Sequence, residues 1–266
     1  MKTCLTIAGS DSSGGAGIQA DIKTMTALGV YAMSAITSLT AQNTCGVADI
    51  FEPPCGFLEK QLDCIFTDIF PDAVKTGMFS SAEAVKAAAG KLKEYNAKNI
   101  VVDPVMVATS GSLLSGGGAV SAMEKHLFPI ADLITPNIAE AEVLSKIKIS
   151  SAEDMEKSAE AIYKKYGCAV LLKGGHLADC ADDYLRHSTG AIWLKGKKIA
   201  NNNTHGTGCT LSSAIASYLA LGEGLEQAVK KAKAYLAGAI AANLNLGKGS
   251  GPLNHAYNIN KDKENS

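Results

Sequence analysis

Short apolar runs alternate with longer segments rich in Ala, Lys and Glu along most of this chain, and that rhythm limits the folds open to it. Cys4–Ala8, Ser34–Leu39, Ala73–Thr76, Ile100–Asp103, Leu133–Thr135 and Ala169–Lys173 read as buried strands. Segments such as Ser81–Tyr95 and Ser151–Tyr166 lie between them and read as helices. Strands without polar alternation need cover on both faces, so the pattern predicts βαβ units: an α/β fold with a central, mostly parallel sheet flanked by helices. Ligands of such sheets bind beyond the carboxyl ends of the strands.

Two helix starts are explicit. Ser81-Ala-Glu-Ala and Ser151-Ala-Glu-Asp place a hydroxyl cap before early carboxylates that complement the helix dipole. Asp183–Ala200, with Ser188-Thr189-Gly190 between two strand-like runs, predicts a β-hairpin. A helical pattern follows to about Leu244, and the polar residues Asn258–Ser266 are expected to fray. No repeat, low-complexity tract or linker divides the chain, so residues 1–257 are expected to form a single domain.

Charge narrows the partners. The 25 Lys and Arg against 26 Asp and Glu leave a formal charge of −1, and no run of like charges forms an arm, so nucleic acid is not the expected partner. The N-terminal stretch MKTCLTIAGSDSSGG lacks a signal-peptide layout, and no apolar stretch is long enough to span a bilayer without interruption. A cytoplasmic protein without membrane partners is expected. The seven cysteines (4, 45, 55, 64, 168, 180 and 209) form no CxxC pair and read as reduced thiols, with neither a disulfide framework nor a zinc site.

The chemistry concentrates in three groups of residues. In Asn203-Thr-His-Gly-Thr-Gly-Cys-Thr-Leu-Ser-Ser a glycine-rich turn runs straight into an apolar helix. Glycines let the backbone approach an anion, and the unpaired amides of a helix's first turn suit a phosphate, which makes Gly206, Thr207, Gly208 and Cys209 candidate donors. A tight structural turn is the alternative at this stage. A second turn, Gly9-Ser-Asp-Ser-Ser-Gly-Gly-Ala-Gly-Ile-Gln-Ala-Asp, follows the first strand but has no GxGxxG spacing, and the chain has no GxxxxGK[ST]. A Rossmann oxidoreductase and a P-loop NTPase are thereby disfavoured. The third group sits at strand ends: Asp103-Pro-Val-Met, Thr135-Pro-Asn-Ile-Ala-Glu and Lys173-Gly-Gly-His. Carboxylates, a carboxamide and a lysine at that edge suit magnesium and nucleotide phosphates, although each also suits capping or a turn.

Taken together, the stretches LTIAGSDSSGGAGIQADIKT, SAITSLTAQNTCGV, DAVKTGM, NIVVDPVM, DLITPNIAEAE, LLKGGH and NTHGTGCTLSSA resemble the hydroxymethylpyrimidine/phosphomethylpyrimidine kinases of thiamine biosynthesis. These kinases are a branch of the ribokinase-like superfamily. The resemblance implies a ribokinase-like three-layer fold, a homodimer, and ATP with Mg²⁺. It further implies two successive phosphorylations, of 4-amino-5-hydroxymethyl-2-methylpyrimidine and then of its monophosphate. By the same resemblance Cys209 takes the catalytic place, where most ribokinase-like enzymes have an aspartate. A helix N-terminus lowers a thiol pKa from about 8.5, so a thiolate near neutral pH is physically reasonable there, and the sequence leaves its protonation open.

For the pyrimidine the resemblance points to Gly9, Ala16, Asp21, Gln42, Met78 and Val105, with Asn43-Thr44-Cys45-Gly46 beginning a flap over the substrate. Some relatives have glutamate where this chain has Gln42, whose amide can both accept from a 4-amino group and donate to a ring nitrogen. For ATP and Mg²⁺ it points to Asp103, Asn137, Glu140 and Lys173, with the Gly206 and Gly208 backbone around phosphate and Lys233 as a further nucleotide contact. The alternatives are a pyridoxal kinase, a specialisation whose members tend to lack the Ala41–Thr44 stretch kept here, and a non-catalytic pyrimidine-binding protein.

Overall fold

A computed structural model describes residues 1–106, 118–175 and 181–259. The chain begins β1 (Thr3–Asp11), α1 (Gly17–Ala27), β2 (Tyr31–Asn43), β3 (Gly46–Phe51), α2 (Cys55–Phe66), β4 (Ala73–Thr76), α3 (Ala82–Glu94) and β5 (Ile100–Val102). After a helical passage opened by α4 (Ala119–Ala122) come β6 (Leu133–Ile134), α5 (Ile138–Ser145), α6 (Ala152–Tyr166), β7 (Ala169–Leu172), β8 (Asp183–His187) and β9 (Gly190–Leu194). It closes with α7 (Thr207–Ala220) and α8 (Leu225–Ala241).

The described strands form one sheet in the order β3-β2-β1-β4-β5-β6-β7-β8-β9. From β2 to β7 every pairing is parallel, and the antiparallel pairings lie at the two edges, β3 on β2 and the β8–β9 hairpin on β7. The period-2 geometry of a strand explains the two cores. Leu5, Val74, Ile100, Val102, Ile134 and Val170 point to one face, against α2, α3, α5 and α6. Their neighbours Cys4, Ala73, Val101, Leu133, Ala169 and Leu171 point to the other, against α7 and α8.

The two helix starts read from sequence are real caps: Ser81 accepts from the Ala84 amide and Ser151 from the Asp154 amide, each at 3.2 Å. The hairpin expected over Asp183–Ala200 has its strands within Asp183–Leu194, and the late helical pattern resolves into α7 and α8, ending at Ala241. The edge strand β3 and helix α2 went unread. Residues 260–266 of the expected tail, and Cys180 and His176, lie outside the described residues. The chain just before that tail packs inward, with Leu253 and His255 only 2% and 4% exposed. Among the described residues no helix is long and apolar enough to cross a membrane.

Candidate active site

A cavity of about 1560 Å³ runs along the carboxyl edge of the sheet, from Gln42 near the end of β2 to Leu194 at the end of β9. Strand ends and helix starts converge there because parallel strands all deliver their next loop to the same edge.

The phosphate turn is built by Gly206 and the start of α7. Gly206 is the N-cap at φ +84°, a conformation that glycine adopts without strain, and a Cβ there would overlap the Gly15 carbonyl. No side chain caps α7. Among the described residues the Gly208 and Cys209 amides have no acceptor, whereas the Thr207 amide bonds to Thr204 O at 3.2 Å. The Gly208 and Cys209 amides are thus open to an anion in the first turn, with the positive end of the α7 dipole behind them.

The two glycine turns are joined by a charge-assisted bond. His205 Nε2 lies 2.8 Å from Asp11 Oδ2. The same carboxylate accepts from the amides of Ser13, Gly15 and Ala16 and from Ser13 Oγ at 2.7 to 3.1 Å. Burial works against the charge, but the bonds from His205 and Ser13 prevail and hold the Asp11 carboxyl down at about 2.

Facing the first turn of α7 are Asp103 and Lys173. Lys173 Nζ lies 3.1 Å from Asp103 Oδ1, and a Cβ on Gly208 would come within 3.3 Å of Asp103 Oδ2 and 3.5 Å of Lys173 Nζ. Lys173 is held protonated because Asp103 and Glu140 outweigh its burial. Asn137 and Glu140 are engaged with each other as the capping box of α5: the Asn137 side chain accepts from the Glu140 amide at 2.9 Å, and Glu140 Oε2 from the Asn137 amide at 2.8 Å. Burial, with the Asp103 charge adding to it against Lys173, pushes the Glu140 carboxyl up to about 7. Both carboxylates belong to the cavity wall. Among the described residues no group of three or more His, Cys, Asp or Glu side chains could hold a metal by itself. One or two carboxylates suit a magnesium ion that takes its remaining ligands from phosphates and water, so Asp103 and Glu140 fit that role.

The expected pyrimidine residues divide. Gly9, Ala16, Gln42, Met78 and Val105 line the cavity. Gln42 Oε1 accepts from Thr40 Oγ1 at 3.1 Å and its Nε2 lies 3.4 Å from His205 Nε2. Ser12 Oγ both accepts from the Gln42 amide at 2.9 Å and donates to its carbonyl at 2.8 Å, which fixes the base of the flap. Asp21 does not line the cavity. It is fully buried behind the wall, taking Lys75 Nζ at 2.7 Å, Thr6 Oγ1 at 2.6 Å and Ser213 Oγ. The residue that lines the cavity in its place is Lys75, held protonated because the charges of Asp21, Cys209 and Asp103 and the hydrogen bond to Asp21 together outweigh burial.

At Cys209 the thiol is favoured over the thiolate. Burial pushes its thiol up to about 11: the Lys75 charge and the Gly17 amide pull it down, but desolvation, with Asp21 and Asp103 adding to it, wins. The helix N-terminus alone does not make a thiolate near neutral pH here. Lys233, expected as a further nucleotide contact, is engaged within the chain. It lines the cavity but is neither solvated nor open, since its ammonium is held by Ala181 O at 2.6 Å and by Asp183 Oδ2.

Sequence reasoning missed Lys75, the Asp11–His205 bond and the apolar pocket of Leu194, Ala237 and Ile240. A lysine inside the otherwise apolar strand Ala73–Thr76 was the available signal for the first.

The phosphomethylpyrimidine kinase family model matches residues 11–254. The chain is 47% identical to the hydroxymethylpyrimidine/phosphomethylpyrimidine kinase of Rhizobium meliloti, over 97% of this chain and 98% of that protein. It is 51% identical, over 94% of its length, to the thiamine biosynthesis bifunctional protein ThiED of Geobacter sulfurreducens, and spans about half (51%) of that longer protein. The structure of pyridoxal kinase from Staphylococcus aureus in complex with AMP-PCP and pyridoxal superposes with a TM-score of 0.88 at 38% identity, covering 97% of this chain and 95% of that one. With the family's model covering residues 11–254, from the end of β1 past α8, the chain belongs to the phosphomethylpyrimidine kinase family.

Proposed function

We propose that this protein is a bifunctional kinase that uses ATP to phosphorylate 4-amino-5-hydroxymethyl-2-methylpyrimidine and then its monophosphate, in thiamine biosynthesis. The observation that carries the reading is the uncapped first turn of α7, whose open Gly208 and Cys209 amides face the Asp103–Lys173 pair across one cavity. That arrangement suits a transferring phosphoryl group, whose charge is met by amides, a helix dipole and an ammonium. ATP use is supported by the AMP-PCP complex of the S. aureus relative.

The nucleotide's phosphates lie against Gly206 and Gly208, its base in the apolar pocket of Leu194, Ala237 and Ile240, with Lys173 beside the phosphates. Asp103 and Glu140 would hold Mg²⁺, which would neutralise phosphate charge. The pyrimidine lies among Gly9, Ala16, Gln42, Met78 and Val105. In the first step its hydroxymethyl oxygen attacks the γ-phosphorus, the bond to ADP breaks, and the alcohol proton passes to Cys209. Only the thiolate form of Cys209 can take that proton; burial makes this form the minor one, and the Lys75 charge is the chain's own contribution that favours it. The acceptor of the second step is a phosphomonoester with a second ionisation near about pH 6, so it needs little base.

A homodimer is proposed as well, supported by the exposed Ile50 and Phe51 of edge strand β3 beside exposed Phe57. Turnover of the hydroxymethylpyrimidine against pyridoxal, compared as kcat/KM with saturating Mg-ATP, tests the substrate class. A clear preference for pyridoxal would move the chain to vitamin B6 chemistry and remove Gln42 from its assigned role.

A further inference from the structure

The turn joining β2 to β3 reaches across the cavity to a glycine-rich loop near the end of the chain. Asn43 Oδ1 accepts from the amides of Cys45 at 2.8 Å and Gly46 at 3.2 Å, which sets the shape of the turn. At its tip, Thr44 Oγ1 accepts from two amides of the far loop, Lys248 and Gly249, each at 3.1 Å. The approach is so close that a Cβ on Gly249 would overlap the Thr44 carbonyl, and one on Gly247, at φ +89°, would overlap the Thr44 side chain.

The other side of the same loop is fastened to the segment that enters the phosphate turn. Gly251 N donates to Asn203 Oδ1 at 3.0 Å, His205 N to Gly251 O at 3.2 Å, and Ser250 Oγ to Asn202 O at 3.2 Å. Five residues, 247 to 251, thereby link the flap to the residues just before Gly206. Thr44 and Ser250 both contribute to the cavity lining, so the link forms part of the cavity wall.

We propose that Thr44 and the 247–251 loop form a clasp that positions the pyrimidine flap against the phosphate turn and keeps water from the transferring phosphoryl group. Thr44 is a positioning residue in this account, which rests on the kinase reading above. With the clasp undone, water competes with the substrate alcohol: its oxygen bonds to the γ-phosphorus, the bond to ADP breaks, and its proton goes to solvent.

The test pairs two measurements on the full chain. Thr44→Val keeps the shape of the side chain but removes the acceptor, while Thr44→Ser keeps the acceptor. Amide exchange of the ligand-free protein is expected to speed up about tenfold at Lys248 and Gly249 in Thr44→Val, because those amides lose their protein acceptor. In turnover, the same variant is expected to raise the KM for the pyrimidine about fivefold or more, through loss of two weak hydrogen bonds that hold the flap. It is also expected to release more ADP than phosphoryl groups transferred to the pyrimidine, counting one for each monophosphate and two for each pyrophosphate, with Thr44→Ser close to wild type in all three readouts. Unchanged exchange and coupling in Thr44→Val, or a Thr44→Ser protein as impaired as Thr44→Val, overturns the clasp. Failure of the wild type to phosphorylate the pyrimidine would instead sink the kinase reading.

Discussion

The Lys75 ammonium stands 2.7 Å from the Asp21 carboxylate, and neither side chain is exposed. Lys75 projects from central strand β4 and Asp21 from α1, while Thr6 of β1 and Ser213 of α7 complete the carboxylate's partners. Such a pair costs desolvation to bury, and the cost of breaking it falls on whichever charge is left. Lys75→Met or Asp21→Leu alone is expected to lose ~3–5 kcal/mol of stability, and the double variant much less. Urea unfolding of all four proteins measures the coupling. Losses that simply add would mean that the two groups act independently.

Cys209 is expected to be slow toward iodoacetamide at neutral pH. With its thiol raised to about 11 by burial, the thiolate fraction and the alkylation rate should keep climbing, about tenfold per pH unit, well past pH 9. Mass spectrometry of the Cys209 peptide separates this thiol from the exposed Cys45 and Cys64. Cys209→Ala should slow the first phosphorylation about 100-fold or more and the second far less, because only the first acceptor must lose a proton to the enzyme. Equal losses in both steps would remove Cys209 as proton acceptor.

The two glycines of the phosphate turn should respond differently. In Gly206→Ala the new methyl group meets the Gly15 carbonyl at a backbone φ of +84°, so a stability loss of ~2 kcal/mol or more is expected along with lost activity. Gly208→Ala fits the helix and brings its methyl only to within 3.3 Å of Asp103 Oδ2. Its melting temperature should stay close to wild type while kcat falls about tenfold or more, through crowding of the space beside the open amides. Melting curves and single-turnover rates read the two effects separately.

His255 is buried against Thr210, 3.0 Å from its hydroxyl, and burial lowers its pKa from 6.5 to about 4. The unfolded chain therefore binds a proton below pH 6.5 that the folded chain refuses until about pH 4. The stability from this residue is complete above pH 6.5 and drains away as the pH falls toward 4, by ~2 kcal/mol between about pH 7.5 and pH 5. Urea midpoints at those two pH values should draw closer together in His255→Gln than in wild type.

The fold was legible where local pattern and tertiary demand agree. The apolar runs that became β1, β4, β5 and β7 are central parallel strands, buried on both faces, and leave few readings open. Edge strand β3, Gly46–Phe51, was not, since half-exposed residues at a sheet margin have no continuous apolar run, and α2 follows two prolines without a polar N-cap. Within the site, strand-end residues such as Asp103 and Lys173 could be read because parallel topology sends them to one edge. The protonation of Cys209 could not. A helix N-terminus is a sequence-local property, whereas burial against Asp21 and Asp103 arises only on folding. The same holds for Asp21, whose place one turn into α1 gave no sign of the lysine 54 residues away that claims it.

The central claim, that one cavity carries out both phosphorylations, is tested most directly by incubating the purified protein with Mg-ATP and hydroxymethylpyrimidine and resolving the products by mass over time. The account predicts that the monophosphate appears first and is then converted to the pyrophosphate, and that Gly208→Ala slows both conversions. Accumulation of monophosphate alone, or no phosphorylated pyrimidine while pyridoxal is turned over, would contradict it.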